Sequence, residues 1–274
     1  NVDGGLWFST EGDLVRMEWP SPWTFVGEED GLFGALNDAE WFEGRRWVAT
    51  SLGLFRSGRD DQGRMRFQSL PWAPDEVWDL QRVGDDLLVG ERKSIQVIHA
   101  DQATRLIDSN GVFELIPSAF VPGRVLALES TSILELDHAA TWRAGSRHDL
   151  GEVTISTLVE LAADRWLIGN WRGYPQLVTR SVDATGPHIA IRPLGRESGL
   201  GDVADAGSSV WQIGGKTYAT LGDDLYEWRD ERFIAQPGHP LVALAGQRLN
   251  EIEFRGGPGH QYAFTSRDVW VEQG

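Results

Sequence analysis

VWDLQRV (77–83), GDD (84–86), LLVGE (87–91), RKS (92–94), IQVIHA (95–100) and ATRLID (103–108) run down the chain almost without a break. The first stretch alternates apolar and polar residues, as a strand with one open face does. LLVGE, IQVIHA and ATRLID are five or six residues long and are set off by Gly, Asp, Ser or charged clusters, the punctuation of an antiparallel meander. LLVGE is apolar at consecutive positions, which fits a strand covered on both faces rather than one.

The hairpin inside this stretch, LLVGE-RKS-IQVI (87–98), recurs along the whole chain. Its counterparts are LWFST-EGD-LVRM (6–17), RWVAT-SLG-LFRS (46–57), VLALE-STS-ILEL (125–136), WLIGN-WRG-YPQL (166–177), TYATL-GDD-LYEW (217–228) and QYAFT-SRD-VWVE (261–272). Their second positions, the blade centres, fall at residues 7, 47, 88, 126, 167, 218 and 262. A repeat of roughly 40–45 residues, each unit too small to bury its own apolar face, marks a radial stack of small sheets. The chain is therefore expected to be all-β, a seven-bladed β-propeller of four-stranded antiparallel blades occupying 1–274 as one domain. VWDLQRV is the expected innermost strand and ATRLID the outer one. The first unit lacks an inner strand and the last stops before an outer one, so three-stranded terminal blades are expected, as in a piece of a longer protein or a trimmed mature region.

A second recurring element joins the units. Glu29-Asp30-Gly31-Leu32, Ser109-Asn110-Gly111-Val112 and Glu197-Ser198-Gly199-Leu200 each precede an inner strand. A polar residue, then Gly, then an aliphatic residue suits a positive-φ turn followed by an apolar plug. The connection between the fifth and sixth units is longer than the rest and contains DATGPH (183–188) and RESGLGDVADAGSS (196–209). Extra length of this kind is where a functional loop is expected.

Charge and composition exclude several classes. With 25 basic and 41 acidic residues the net charge is −16, which disfavours nucleic acid and anionic membranes as partners. There is no cysteine, hence no disulfide, thiol chemistry or cysteine-ligated metal. No apolar run reaches the ~18–20 residues of a membrane span, so no direct membrane insertion is expected. The opening NVDGGLWF has neither the basic nor the apolar region of a signal peptide.

The repeats resemble the two-component regulator propeller repeat. GLWFSTEGDLVRM and RRWVATSLGLFRSG are similar to its G-x-LW-[IF]-GT-x-x-GL-x-R core, and EEDGLFGALNDAEWFEG to its DGL lead-in. The GT of that pattern becomes Ser9-Thr10, Ala49-Thr50, Gly90-Glu91, Leu128-Glu129 and Gly169-Asn170, changes expected to act on blade packing. The resemblance implies the extracytoplasmic, periplasmic sensor part of a bacterial signal-transduction protein. It also implies a small-molecule or oligosaccharide ligand, and a downstream signalling domain or second propeller as neighbour.

No catalytic pattern accompanies the repeat. There is no G-x-S-x-G elbow and no phosphate loop, and Gly199-x-Gly201-x-x-Ala204 lacks the strand and helix that a dinucleotide fingerprint needs. His99 and His138 are expected at strand ends, and His148, His188 and His239 in loops, with no metal-ligand spacing among them. No cofactor and no metal is expected. Asp38, Asp79 and Asp205, near the starts of inner strands, are the candidates for a carboxylate pair of the kind glycosidases use. Lyase-type propellers of the virginiamycin class also carry LWF-like strands, but their histidine and acidic spacing has no counterpart here. A non-enzymatic ligand-sensing module is therefore expected, ahead of a protein-binding scaffold and of a propeller glycosidase or lyase.

The tryptophans divide by position. Trp7, Trp47, Trp166 and Trp228 lie in repeat strands and are expected between blades, and Trp41, Trp78 and Trp211 in the core. Trp171 is different, because it occupies the turn Asn170-Trp171-Arg172-Gly173. An indole beside a guanidinium suits stacking on a sugar or other planar group. Arg92 and Lys93 hold the equivalent turn of the third unit. These four, Trp171, Arg172, Arg92 and Lys93, are the expected ligand-binding residues.

Overall fold

The computed structural model describes residues 5–9, 14–18, 26–73, 75–202, 206–239, 241–242, 253–257, 260–264 and 269–271, with the side chains of the first two and last three stretches outside that description. Within them seven antiparallel sheets follow one another in chain order. The first has two strands, β1 (Gly5–Ser9) and β2 (Leu14–Glu18). Five four-stranded meanders follow. They are β3–β6 (Leu36–Phe42, Arg45–Thr50, Gly53–Arg59, Met65–Ser69) and β7–β10 (Val77–Val83, Asp86–Glu91, Ser94–His99, Gln102–Asp108). Next come β11–β14 (Val112–Pro117, Arg124–Glu129, Ser132–His138, Trp142–Asp149) and β15–β18 (Ile155–Ala162, Arg165–Asn170, Gln176–Asp183, Gly186–Pro193). The last of the five is β19–β22 (Ser208–Ile213, Lys216–Leu221, Asp224–Arg229, Arg232–Ala235). Three strands end the series, β23 (Glu253–Gly257), β24 (His260–Phe264) and β25 (Val269–Val271).

Each of the seven expected hairpins is present, and the expected inner strand 77–83 coincides with β7. The fold is that of a β-propeller. First strands of neighbouring sheets touch, β3 with β7, β7 with β11 and β15 with β19, and last strands meet on the outside, β10 with β14 and β14 with β18. In the four-stranded blades the first strand is therefore innermost.

The core lies between blades rather than within them. All six residues of β8 are buried, and they alternate in direction. Leu87 and Val89 pack with Trp47 and Leu54 of the preceding blade, whereas Leu88 packs with Val125, Leu134 and Leu136 of the following one. The same division recurs at Leu126 and Leu128, which meet Trp166 and Ile168, and at Leu167 and Leu177, which meet Ala219, Tyr226 and Phe233. This double coverage is why the second strands carry apolar residues at adjacent positions.

The expected plugs are in place. Gly31 and Gly111 take φ of 87° and 88°, and Leu32 and Val112 behind them are buried. A Cβ on Gly31 would lie 2.5 Å from the Phe67 carbonyl oxygen, and one on Gly111 2.5 Å from the Trp78 ring, so only glycine fits either turn.

Some expectations fail. Trp41 is 47% exposed, because it is the penultimate residue of an inner strand at the margin of the sheet, where the Arg46 guanidinium covers it 5.2 Å from the ring centroid. His148 and His188 sit in strands β14 and β18 rather than in loops. The extra length of the fifth unit is partly strand, with DATGPH forming the tip of the β17–β18 hairpin. Trp47 and Trp166 are buried between blades as expected, and Trp228 packs partly against the same interior. The Trp7 side chain lies outside the described residues.

Candidate functional site

Four of the five inner strands of the four-stranded blades share a local irregularity that β19 lacks. In β3, β7, β11 and β15 the pairing with the second strand slips by a residue or more near the start, at Leu36/Asp38, Val77/Asp79, Val112/Glu114 and Ile155/Leu158. A bulge there re-aims the side chain that follows it, and in β3, β7 and β15 that side chain reaches the next blade. The Leu80 N–H donates to Asp38 Oδ2 at 3.0 Å and the Leu115 N–H to Asp79 Oδ2 at 2.6 Å. In the fifth blade Thr157 takes the same part, accepting from the Val210 N–H at 2.7 Å. A companion bond runs beside two of these. Asn37 Nδ2 donates to the Val77 carbonyl at 2.7 Å, and Ser156 Oγ to the Ser208 carbonyl at 2.6 Å.

Asp38, Glu40, Asp79, Gln81, Glu114 and Ile116 border a cavity of about 600 Å³ on three consecutive inner strands. A second cavity, about 270 Å³, continues past Glu114 toward Thr157, Glu160, Trp211 and Gln212. The channel is thus strongly acidic on one side. Asp79 is only 6% exposed. Burial foremost, and then the neighbouring Asp38 and Glu114 carboxylates, pushes its carboxyl well above the usual carboxylate range, so that it holds a proton where an exposed Asp would not.

Sequence reasoning found Asp38 and Asp79, and the structure brings them together. Asp205 lies outside the described residues. Glu114 was missed, although it holds the same place relative to Val112 as Asp79 does to Val77, and superposing the inner-strand starts reveals it. A hydrolytic pair needs two carboxylates facing a scissile bond. Here an oxygen of each Asp is instead taken up by the main chain of the following blade, an arrangement that joins blades. Among the described residues no group of His, Asp and Glu could hold a metal ion.

The four expected ligand residues occupy two equivalent turns. Trp171 and Arg172 lie between β16 and β17, and Arg92 and Lys93 between β8 and β9. Both turns are tied to the segment leading into their own inner strand, Trp171 N–H to the Thr154 carbonyl at 2.9 Å and Arg92 N–H to the Glu76 carbonyl at 3.0 Å. They therefore open at the end of the propeller where the inner strands begin. Trp171 is 63% exposed. Its turn is closed by the Arg172 N–H donating to Asn170 Oδ1 at 3.2 Å, and Gly173 N–H ties it to Ala206 of the next blade at 3.0 Å. Lys93 is paired with Asp75 at 2.9 Å. The fourth blade stands between the two turns.

Fold and site together define a propeller module with an acidic channel and an exposed aromatic turn at Trp171. No known family profile matches the chain, and no curated protein matches it in sequence. Solved structures do. The extracellular domain of a putative one-component system from B. thetaiotaomicron superposes with a TM-score of 0.56 at 13% identity, over 86% of this chain and 32% of that one. This chain thus spans about a third of the length of that extracellular domain. Virginiamycin B lyase from Staphylococcus aureus matches with a TM-score of 0.56 at 10% identity over 98% and 86% of the two chains. The N-terminal domain of Nup159 matches at 0.50 and 9%, over 99% and 86%. The first of these supports, at the level of the fold, the resemblance of the repeats to two-component regulator propellers. Among the described residues no helix is long and apolar enough to cross a membrane.

Proposed function

We propose that this chain is a non-enzymatic ligand-binding propeller, the extracytoplasmic sensing module of a bacterial signalling protein, taking a small molecule or oligosaccharide at the end where its inner strands begin. The exposed Trp171 carries the reading. An indole standing in solvent on a turn closed by its own neighbours and pinned to the next blade is a preformed stacking surface, and holding it there spares a ligand the cost of ordering it. Arg172 beside it supplies planar donors, with Arg92 and Lys93 as a second polar spot two blades away. A downstream signalling domain or a second propeller would receive the signal through altered docking.

The test is a thermal-shift screen of oligosaccharides and small metabolites, in which a ligand of the native state raises the melting temperature. Trp171→Ala is expected to weaken any hit by about tenfold or more, in line with the ~1.4 kcal/mol that one stacked ring contributes. A hit that survives Trp171→Ala and Arg172→Ala unchanged removes this site, and turnover of a glycan or lactone removes the non-enzymatic reading. A second reading, a scaffold gripping another protein, draws on Leu52, 61% exposed in the equivalent β4–β5 turn. It gains ground if the screen is empty while Leu52→Asp and Trp171→Ala together abolish capture by a flanking domain of the same protein.

A further inference from the structure

At the opposite end of the strands, between the outer halves of the third and fourth blades, lies a cleft of about 350 Å³. Asp86, the first residue of β8, is buried at its base with both oxygens engaged. Oδ1 lies 2.6 Å from His99 Nδ1, and Oδ2 accepts the Trp142 indole N–H at 2.8 Å. His138 Nε2 is 3.6 Å from the same Oδ2, and its ring leans on Trp142 with centroids 4.9 Å apart. Val97, Leu106 and Ala140 supply apolar wall, and Thr104 and Thr141 hydroxyls.

The arrangement fixes what the cleft offers. Asp86 holds the imidazole by Nδ1, so Nε2 is left for another partner, and the His99 side chain is 67% exposed. The bond to Asp86 and its charge, with help from Asp85, raise the His99 pKa and so favour the imidazolium, the form in which Nε2 donates. Other charges facing it are few. Arg105 borders the cleft, but its guanidinium is drawn to Asp108 at 2.6 Å, and His138 is turned toward Asp86. A metal is disfavoured, because both Asp86 oxygens already accept hydrogen bonds. What remains is the His99 Nε2 at the edge of a cleft walled largely by apolar side chains.

We propose that this cleft binds a small aromatic monocarboxylate, whose carboxylate accepts the His99 Nε2–H while its ring lies against Trp142 beside Val97 and Leu106. The site is separate from the Trp171 turn and does not depend on it.

Calorimetric and NMR titration with benzoate, against its neutral isostere benzamide, tests the assignment. Benzoate is expected to bind saturably and benzamide at least about tenfold more weakly, the loss of one charge-assisted hydrogen bond. Affinity for benzoate is expected to peak between the titration of its own carboxyl, about pH 4, and that of His99, falling below the first as the carboxylate is protonated and above the second as the imidazolium is lost. His99→Ala and Thr104→Trp, the second filling the cleft from an exposed strand position without touching Asp86, should each abolish binding. Trp171→Ala should leave it intact. Absence of saturable benzoate binding, equal binding of benzamide, a flat pH profile, or binding that survives Thr104→Trp or is lost in Trp171→Ala would each overturn the proposal.

Discussion

Thr50, Glu91, Glu129 and Asn170 stand at one position of the repeat, and each solves the same local problem differently. Thr50 Oγ1 accepts from the Leu52 N–H and donates to the Gly53 carbonyl, both at 3.0 Å. Glu91 accepts from Gln96 Nε2 at 2.8 Å and from the Ser94 hydroxyl. Glu129 takes the Ser132 hydroxyl, the Asn110 N–H at 3.1 Å and Arg147 at 3.0 Å. The residue types drift because any acceptor of suitable reach closes the turn. Asp79 carries a sharper consequence. Its folded-state pKa lies above the unfolded value of about 3.9, so the folded state binds more protons in between. Its contribution is fully present below the unfolded pKa and is lost as pH rises toward the folded one. Asp79→Asn keeps an acceptor for the Leu115 N–H and removes that loss, so its stability relative to the parent should increase with pH. Urea midpoints at pH 5, 7 and 9 measure this, and parallel midpoints would contradict it. What sequence could reveal at this scale was position within the repeat, which located Asp38 and Asp79. It could not reveal the cleft at Asp86, whose partner Trp142 comes from another blade 56 residues away.

Among the strands, legibility followed burial. The doubly covered second strands were readable because alternating residues face different neighbours and all must be apolar. Inner-strand margins were not, since an aromatic at the edge of a sheet looks like a core residue until its surroundings are known, as Trp41 illustrates. The outer strands carry the least packing. Leu128 is fully buried between the fourth and fifth blades, whereas Val182 of β18 is exposed. Leu128→Ala should therefore cost about 2–5 kcal/mol in denaturant unfolding, and Val182→Ala within about 0.5 kcal/mol of nothing. Similar losses at the two sites would mean that the interior is not where the stability resides.

For the molecule as a whole, a net charge of −16 works against the compact state through self-repulsion. Sodium chloride screens exposed charges within about 10 Å at 0.1 M. The melting temperature should accordingly rise by a few degrees (roughly 2–5) between 20 and 300 mM salt, since ~1 kcal/mol moves a domain of this size by about 2–4 °C. A fall on adding salt would show that attractive ion pairs outweigh the repulsion. The hydrogen bonds that pass from Asp38 to Leu80, from Asp79 to Leu115 and from Thr157 to Val210 add one more property. At these three joints the earlier blade supplies the side-chain acceptor and the later blade the main-chain donor. These three joints are thus of one gender, like identical couplings on railway wagons. A blade copied and inserted by gene duplication would meet its new neighbours with the right fittings on both sides, which lets such a ring change its number of units without inventing a new contact.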